Sequence, residues 1–194
     1  MFRKFFHLSI LVFTLTTTTL LNAQVVAQWM FDEMTGSNLS DITGNGNDGI
    51  IDGAEWIEGY NGGALHFDGS DKVTTDLVLT YSNTQSYTWE AIARYSDSQL
   101  DEQPGVFLGF ESTDDSEVKI GVHPNSRVYG ASRTDNYPTD GANSMLFSNH
   151  QMHDALWHHY ALVRDRVNLT YKFYIDGILE EETPDNNNGS INTE

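Results

Sequence analysis

No stretch of this chain keeps a helical period long enough to build a helix, and turn residues break it into short runs throughout. The turns are explicit: NGG at 61–63, DGS at 68–70, HPN at 123–125 and DG at 176–177. The runs between them read as strands. SYTWEAIARY (86–95) alternates along its length, with Tyr87, Trp89, Ala91 and Ala93 on one face and Thr88, Glu90, Ile92 and Arg94 on the other. TYKFYIDGILEEE (170–182) reads as a hairpin, because Asp176-Gly177 supplies the positive φ that a tight turn needs. Its Tyr171, Phe173 and Ile175 share one face; Lys172, Tyr174 and Asp176 share the other. Further strands are predicted at 25–31, 48–51, 63–67, 72–76, 105–110, 116–122, 126–131, 144–148 and 156–165. Many short strands joined by glycine-rich turns predict an all-β, antiparallel sandwich or barrel. The polar end TPDNNNGSINTE (183–194) reads as loose chain.

The first 23 residues read as a secretory signal, outside the fold. Arg3 and Lys4 precede an apolar, threonine-rich centre, and Ala23 offers the small residue of a cleavage site. The apolar run is too short and too polar for a good membrane span. The expectation is a secreted or cell-surface protein whose folded part begins at residue 24. That part carries 28 acids against 8 bases, since Arg3 and Lys4 leave with the signal. Such a balance argues against nucleic acid and against an anionic membrane surface, and no later segment is long and apolar enough to span a membrane. It suits hard cations. With no cysteine there is neither a disulfide framework nor thiolate chemistry.

Taken in order, VAQWMFDE, DITGNGNDG, GYNGGALHFDGSD, SYTWEAIARY, ALWHHYALVRD and YKFYIDGIL resemble the laminin-G-like, concanavalin A-like jelly-roll domains common in secreted bacterial proteins. The resemblance runs from about Val25 to the end of the chain. It implies two antiparallel sheets packed face to face. Similar domains continue past the position of Glu194 with strands that return beside the N-terminal one. The resemblance therefore implies that residues 24–194 are a sandwich lacking its last strands, one module of a longer polypeptide. On that view Trp29 and Phe31 are more exposed than core residues. Trp29, Trp56, Trp89 and Trp157 are all expected in the core.

DITGNGNDG (41–49) concentrates turn chemistry. Gly44, Gly46 and Gly49 permit positive φ, and Asn45 and Asn47 tolerate it. Such winding turns carbonyl oxygens inward, beside the carboxylates of Asp41 and Asp48. Calcium takes about six to eight oxygens of these kinds. Asp41, Asn45, Asn47 and Asp48, with Asp68 from HFDGSD, are the candidate ligands, and the resemblance points to calcium near this loop. The alternative is a tight connection that holds no metal; there is no EF-hand spacing, and Asp68 also reads as an Asp-Gly turn residue.

For a ligand, the loops offer tyrosines, and no strand period explains Tyr137. Tyr60 stands in EGYNGG, Tyr81 in TYSNT, and Tyr137 in TDNYPTD among Asp135, Asn136 and Asp140. A ring that stacks on a pyranose, flanked by amides and carboxylates, is what a glycan site needs. The alternative for each is a ring laid on the edge of the sandwich. His150, His153, His158 and His159 invite a zinc reading. Against it, His158 and His159 are adjacent on a strand and must face opposite ways. Glucanases of the concanavalin A-like fold carry their acids on one strand in a Glu-x-Asp-x-x-Glu pattern, which is absent here. Glu180, Glu181 and Glu182 are consecutive and read as a solvated strand end. The expected function is a non-catalytic, calcium-stabilised module that binds an extracellular glycan or cell-surface component. The alternatives are a glycoside hydrolase or its accessory module, and a structural or adhesive module.

Overall fold

A computed structural model describes residues 23–96, 105–111, 117–123, 127–133, 143–149, 154–186 and 191–192. The strands are β1 (Asn38–Leu39), β2 (Gly49–Asp52), β3 (Glu55–Glu58), β4 (Gly63–His66), β5 (Lys72–Thr75), β6 (Thr80–Tyr81), β7 (Tyr87–Ser96) and β8 (Gly105–Glu111). They continue as β9 (Glu117–Val122), β10 (Val128–Arg133), β11 (Asn143–Phe147), β12 (Asp154–Asp165), β13 (Thr170–Ile175), β14 (Ile178–Pro184) and β15 (Ile191–Asn192). Among the described residues every strand pairing is antiparallel. The expected all-β antiparallel sandwich is what forms, and among the described residues no helix is long and apolar enough to cross a membrane.

Two four-stranded sheets, in the orders β14-β13-β12-β7 and β11-β10-β9-β8, enclose the main core. Tyr87, Tyr160, Leu162, Tyr171, Phe173 and Ile175 meet Val118, Ile120, Val122, Val128 and Leu146 there. On β7 and β13 the two-residue period predicts which side chains point inward. On β7 Tyr87 is buried and Trp89, Ala91 and Ala93 are half-buried, while Thr88, Glu90, Ile92 and Arg94 are exposed. On β13 Tyr171, Phe173 and Ile175 are buried. The turn to β14 has φ of 50° at Asp176 and 77° at Gly177, as a type I′ hairpin requires. At Gly130 the two sheets approach closely: a Cβ there would stand 3.0 Å from both Leu162 and Phe173.

A second, smaller core gathers Leu39, Ile51 and Leu65, with Trp29, Phe31, Ala54, Trp56 and Val73 against them. It joins the sheet β1-β2-β5 to the β3-β4 hairpin. Here the sequence expectation for residues 25–31 is corrected. They do not form a strand; their one pairing is a bridge from Trp29 to Asp41. Phe31 and Met34 adopt φ of 62° and 55°, which break the extended run. Trp29 and Phe31 are half-buried against this smaller core.

The 183–194 end is also corrected. Asp185 is buried, and β15 pairs with β6. The Asp185 carboxylate accepts from Arg164 Nε at 2.8 Å and from Arg166 Nη1 at 2.7 Å. The Arg164 guanidinium in turn lies 5.9 Å from the ring centre of Tyr87 and 5.7 Å from that of Tyr171. The two tyrosine hydroxyls meet at Ser132 Oγ, at 2.8 and 3.1 Å. A polar end segment thus supplies the charge that lets an arginine sit inside the sandwich.

Glu180 and Glu181 are corrected as well. The register of β13 against β14 shifts between Phe173 and Tyr174. That bulge lets both glutamates reach the neighbouring sheet, where Phe147 N donates to Glu181 at 2.6 Å and Asn149 N to Glu180 at 2.7 Å. Side chains so occupy backbone donors along an otherwise open edge.

Candidate ligand-binding cleft

The Asp41 loop comes first, because it carries the predicted metal ligands. Gly44 and Gly46 take φ of 79° and 82°, as expected. Gly49 is needed for another reason: a Cβ there would stand 2.6 Å from Val73 Cγ1, so its role is close strand packing. Asp41 is buried, and its two oxygens accept five hydrogen bonds, from Gln28 N, Thr43 N, Thr43 Oγ1, Asn47 N and Asn47 Nδ2. Asp48 Oδ1 accepts from Asp41 N at 2.8 Å. The amides of Asn45 and Asn47 donate to Val26 O at 2.8 and 3.1 Å, and the Trp29 indole donates to Asn47 O at 2.9 Å. Asp68 lies in a separate turn, where Oδ1 accepts from Ser70 N and Ser70 Oγ.

This donor set does not fit calcium. Asp41 is surrounded by N–H and O–H dipoles that point their positive ends at it, and a cation has no place among them. Among the described residues no three His, Cys, Asp or Glu side chains group to hold a metal ion. The loop instead replaces a strand ladder by side chains, tying residues 25–29 to residues 41–47. Burial alone would raise the Asp41 pKa. The Thr43 hydroxyl and the N–H groups of Gln28, Thr43 and Asn47 outweigh that and hold it well below the usual carboxylate range. The expected result is that chelator leaves the melting temperature unchanged, while Asp41→Ala lowers it. A melting temperature that falls on adding chelator to the wild-type protein would restore the metal.

A cleft of about 100 Å³ lies elsewhere, lined by Tyr60, Ile92, Trp157, His158, His159 and Asp176. Three elements build it. The β3-β4 hairpin pairs Glu58 with Gly63 and presents Tyr60 at its tip, 68% exposed. From β7 comes Ile92, on the face turned away from the core. Trp157 and His159 come from β12, opposite Arg94 and Ile92. Trp157 therefore leaves the core to which the sequence assigned it, and stands half-buried on the outer face with the Arg94 guanidinium 5.0 Å from its ring centre. Trp29, Trp56 and Trp89 pack against the two cores as expected, each half-buried.

The polar side of the cleft depends on an irregularity in β12. Its register slips between Asp154 and Trp157, and Ala155 takes φ of 60°. Residues four apart on a regular strand lie about 13 Å from each other. The slip brings Asp154 back to His158, with His158 Nε2 3.2 Å from each Asp154 oxygen. His158 Nδ1 is 2.7 Å from Asp176 Oδ2, and Asp176 Oδ1 accepts from His159 N at 2.9 Å. His159 Nε2 has Glu90 Oε2 at 3.4 Å. The two imidazole rings thus have separate partners, as neighbours on a strand should. Of the other predicted ligand residues, Asp135, Asn136, Tyr137 and Asp140 lie outside the described residues, as do His150, His153 and residues 1–22 of the expected signal at 1–23. Tyr81 is half-buried and stacks on Tyr87 with ring centres 4.5 Å apart, so it serves the core.

Fold and cleft together define an antiparallel β-sandwich with an aromatic, polar-sided recess on the outer face of one sheet. No family model matches the chain, and no curated protein does. Among solved structures it is similar to the binding domain of Paraclostridial Mosquitocidal Protein 1, at 12% identity and a TM-score of 0.56 over 86% of this chain. The chain spans 42% of that structure's length. It is also similar to the carbohydrate-binding module CBM66 from Bacillus subtilis, at 16% identity and a TM-score of 0.45, covering 74% of this chain and 83% of that one. A third is Bacillus licheniformis beta-glucanase, at 12% identity and a TM-score of 0.37, covering 87% and 74%. The first of these likenesses shows the sandwich fold; at such TM-scores the other two carry no argument.

Proposed function

We propose that this chain is a secreted or cell-surface module of the laminin-G-like kind, part of a longer multi-module protein, that binds an extracellular glycan without cleaving it. The observation that carries this reading is the meeting of Tyr60 and Trp157 in one recess with His158, His159 and Asp176. An exposed ring offers an apolar face to the C–H side of a sugar, and the polar groups beside it answer the hydroxyls. Tyr60 stands exposed at a hairpin tip among glycine and asparagine, and binding gives an exposed ring there a use.

The test is a glycan array, read with and without calcium, on the wild-type protein and on Tyr60→Ala. Binding is expected to be independent of calcium and to weaken more than about tenfold in the variant, as it does when a central aromatic anchor is truncated. Because Tyr60 is exposed, the variant should keep the wild-type fold. A second variant, Tyr137→Ala, places the Asp135–Asp140 loop in the same experiment. If that variant loses binding and Tyr60→Ala does not, the cleft is not the site.

A further inference from the structure

We propose that Asp176 is the specificity-determining group of this cleft, set in position by His158, and that the ligand is a neutral sugar presenting a pair of hydroxyls to its carboxylate. The inference rests on the reading of the cleft as a glycan site and adds which group reads the sugar.

Asp176 sits at a turn whose geometry is fixed by positive φ at it and at Gly177. Each of its oxygens accepts one fixed donor, Oδ1 from His159 N and Oδ2 from His158 Nδ1. That orients the carboxylate and leaves each oxygen a second lone pair. Its side chain is 50% exposed and borders the recess that holds Tyr60 and Trp157. Two neighbouring sugar hydroxyls can donate to such a carboxylate while the ring lies against Tyr60.

The charge around the recess selects among sugars. Asp154, Asp176 and Glu90 bring three carboxylates, against Arg94 and a protonated His158. The chain as a whole carries 28 acids and 10 bases. Uronic and sialic acids are repelled on approach; a neutral sugar is not.

His158 makes the arrangement depend on pH. A neutral imidazole donates from one nitrogen and offers a lone pair at the other. Both nitrogens of His158 face carboxylate oxygens, Asp154 on its own strand and Asp176 on the adjoining turn. Across the strand pair it meets Ala93, which carries no charge, and the Tyr160 ring lies 6.2 Å away. The geometry therefore holds while the ring carries both protons. Burial alone would lower the His158 pKa; the hydrogen bonds and charges of Asp176 and Asp154 outweigh it and raise the value above 6.5. The clamp is complete below that ordinary value and is released as pH rises through the raised one.

The experiment titrates neutral hexose oligosaccharides and matched uronic-acid oligosaccharides into the wild-type protein, Asp176→Asn, His158→Gln and Tyr60→Ala across this pH range. Asparagine tolerates positive φ, so Asp176→Asn keeps the turn. The expected results are preference for the neutral sugars, an affinity lower by about tenfold or more in Asp176→Asn, and a wild-type affinity that falls with rising pH while that of His158→Gln does not. If Asp176→Asn binds within about twofold of wild type while Tyr60→Ala has lost binding, the role of Asp176 is overturned and the cleft stands. Preference for uronic acids overturns the charge argument. If neither panel binds, or Tyr60→Ala binds as wild type does, the cleft fails and this inference with it. Should Asp176→Asn not fold, the wild-type pH profile decides: a fall through the His158 titration supports the clamp, and a flat profile overturns it.

Discussion

Asp185→Ala is expected to lower folding stability by about 3–5 kcal/mol, the range for removing one partner of a buried ion pair. Both Asp185 and Arg164 have side chains of zero exposure, and the second base, Arg166, shares the same Asp185 oxygen. Alanine leaves the Arg164 guanidinium inside the sandwich beside Tyr87 and Tyr171 without its carboxylate. A folded domain of this kind has a total stability of about 5–15 kcal/mol, so the loss is a large share of it. Urea unfolding checks this. A change below about 1 kcal/mol would mean that the pair is wet and that the 183–186 segment does not dock as described.

Phe173→Ala is expected to lower stability by about 3–5 kcal/mol for a different reason. Its ring has no exposure and fills the space that Gly130 leaves between the sheets. Since the variant loses contacts without changing what unfolds, the midpoint in urea should fall with its slope unchanged. A loss below about 1 kcal/mol would show that the two sheets do not meet at Gly130 as tightly as this geometry requires.

The core of the sandwich was legible because a two-residue period declares which side chains share a face. Tyr87 to Ala93 on β7 and Tyr171 to Ile175 on β13 both follow it, and Asp176-Gly177 declares the hairpin partner of β13. Residues 25–31 misled for the same reason. They are apolar enough for a strand, yet what places them is a set of side chains some twenty positions away, and no local period reports that. Asp185 was hidden by its setting in a polar run, where nothing marks the one residue that goes inside. The cleft was half legible. Tyr60 stands out as an aromatic among turn residues. Trp157 does not, because LWHHYALVRD has large or apolar residues on both faces and the tryptophan reads equally well as core. The return of Asp154 to His158 follows from a register slip at Ala155, and an alanine there carries no sign of it.

The most direct measurement is a two-dimensional NMR titration of the wild-type protein with a neutral oligosaccharide that it binds. The account predicts that the Trp157 indole N–H and the backbone amides of Tyr60, Ile92, His159 and Asp176 shift together, while the Trp29 and Trp56 indoles, held by Asn47 O and Gly36 O in the smaller core, stay in place. Shifts confined to residues 135–140 or to the Asp41 loop, with the Trp157 signal unmoved, would contradict it.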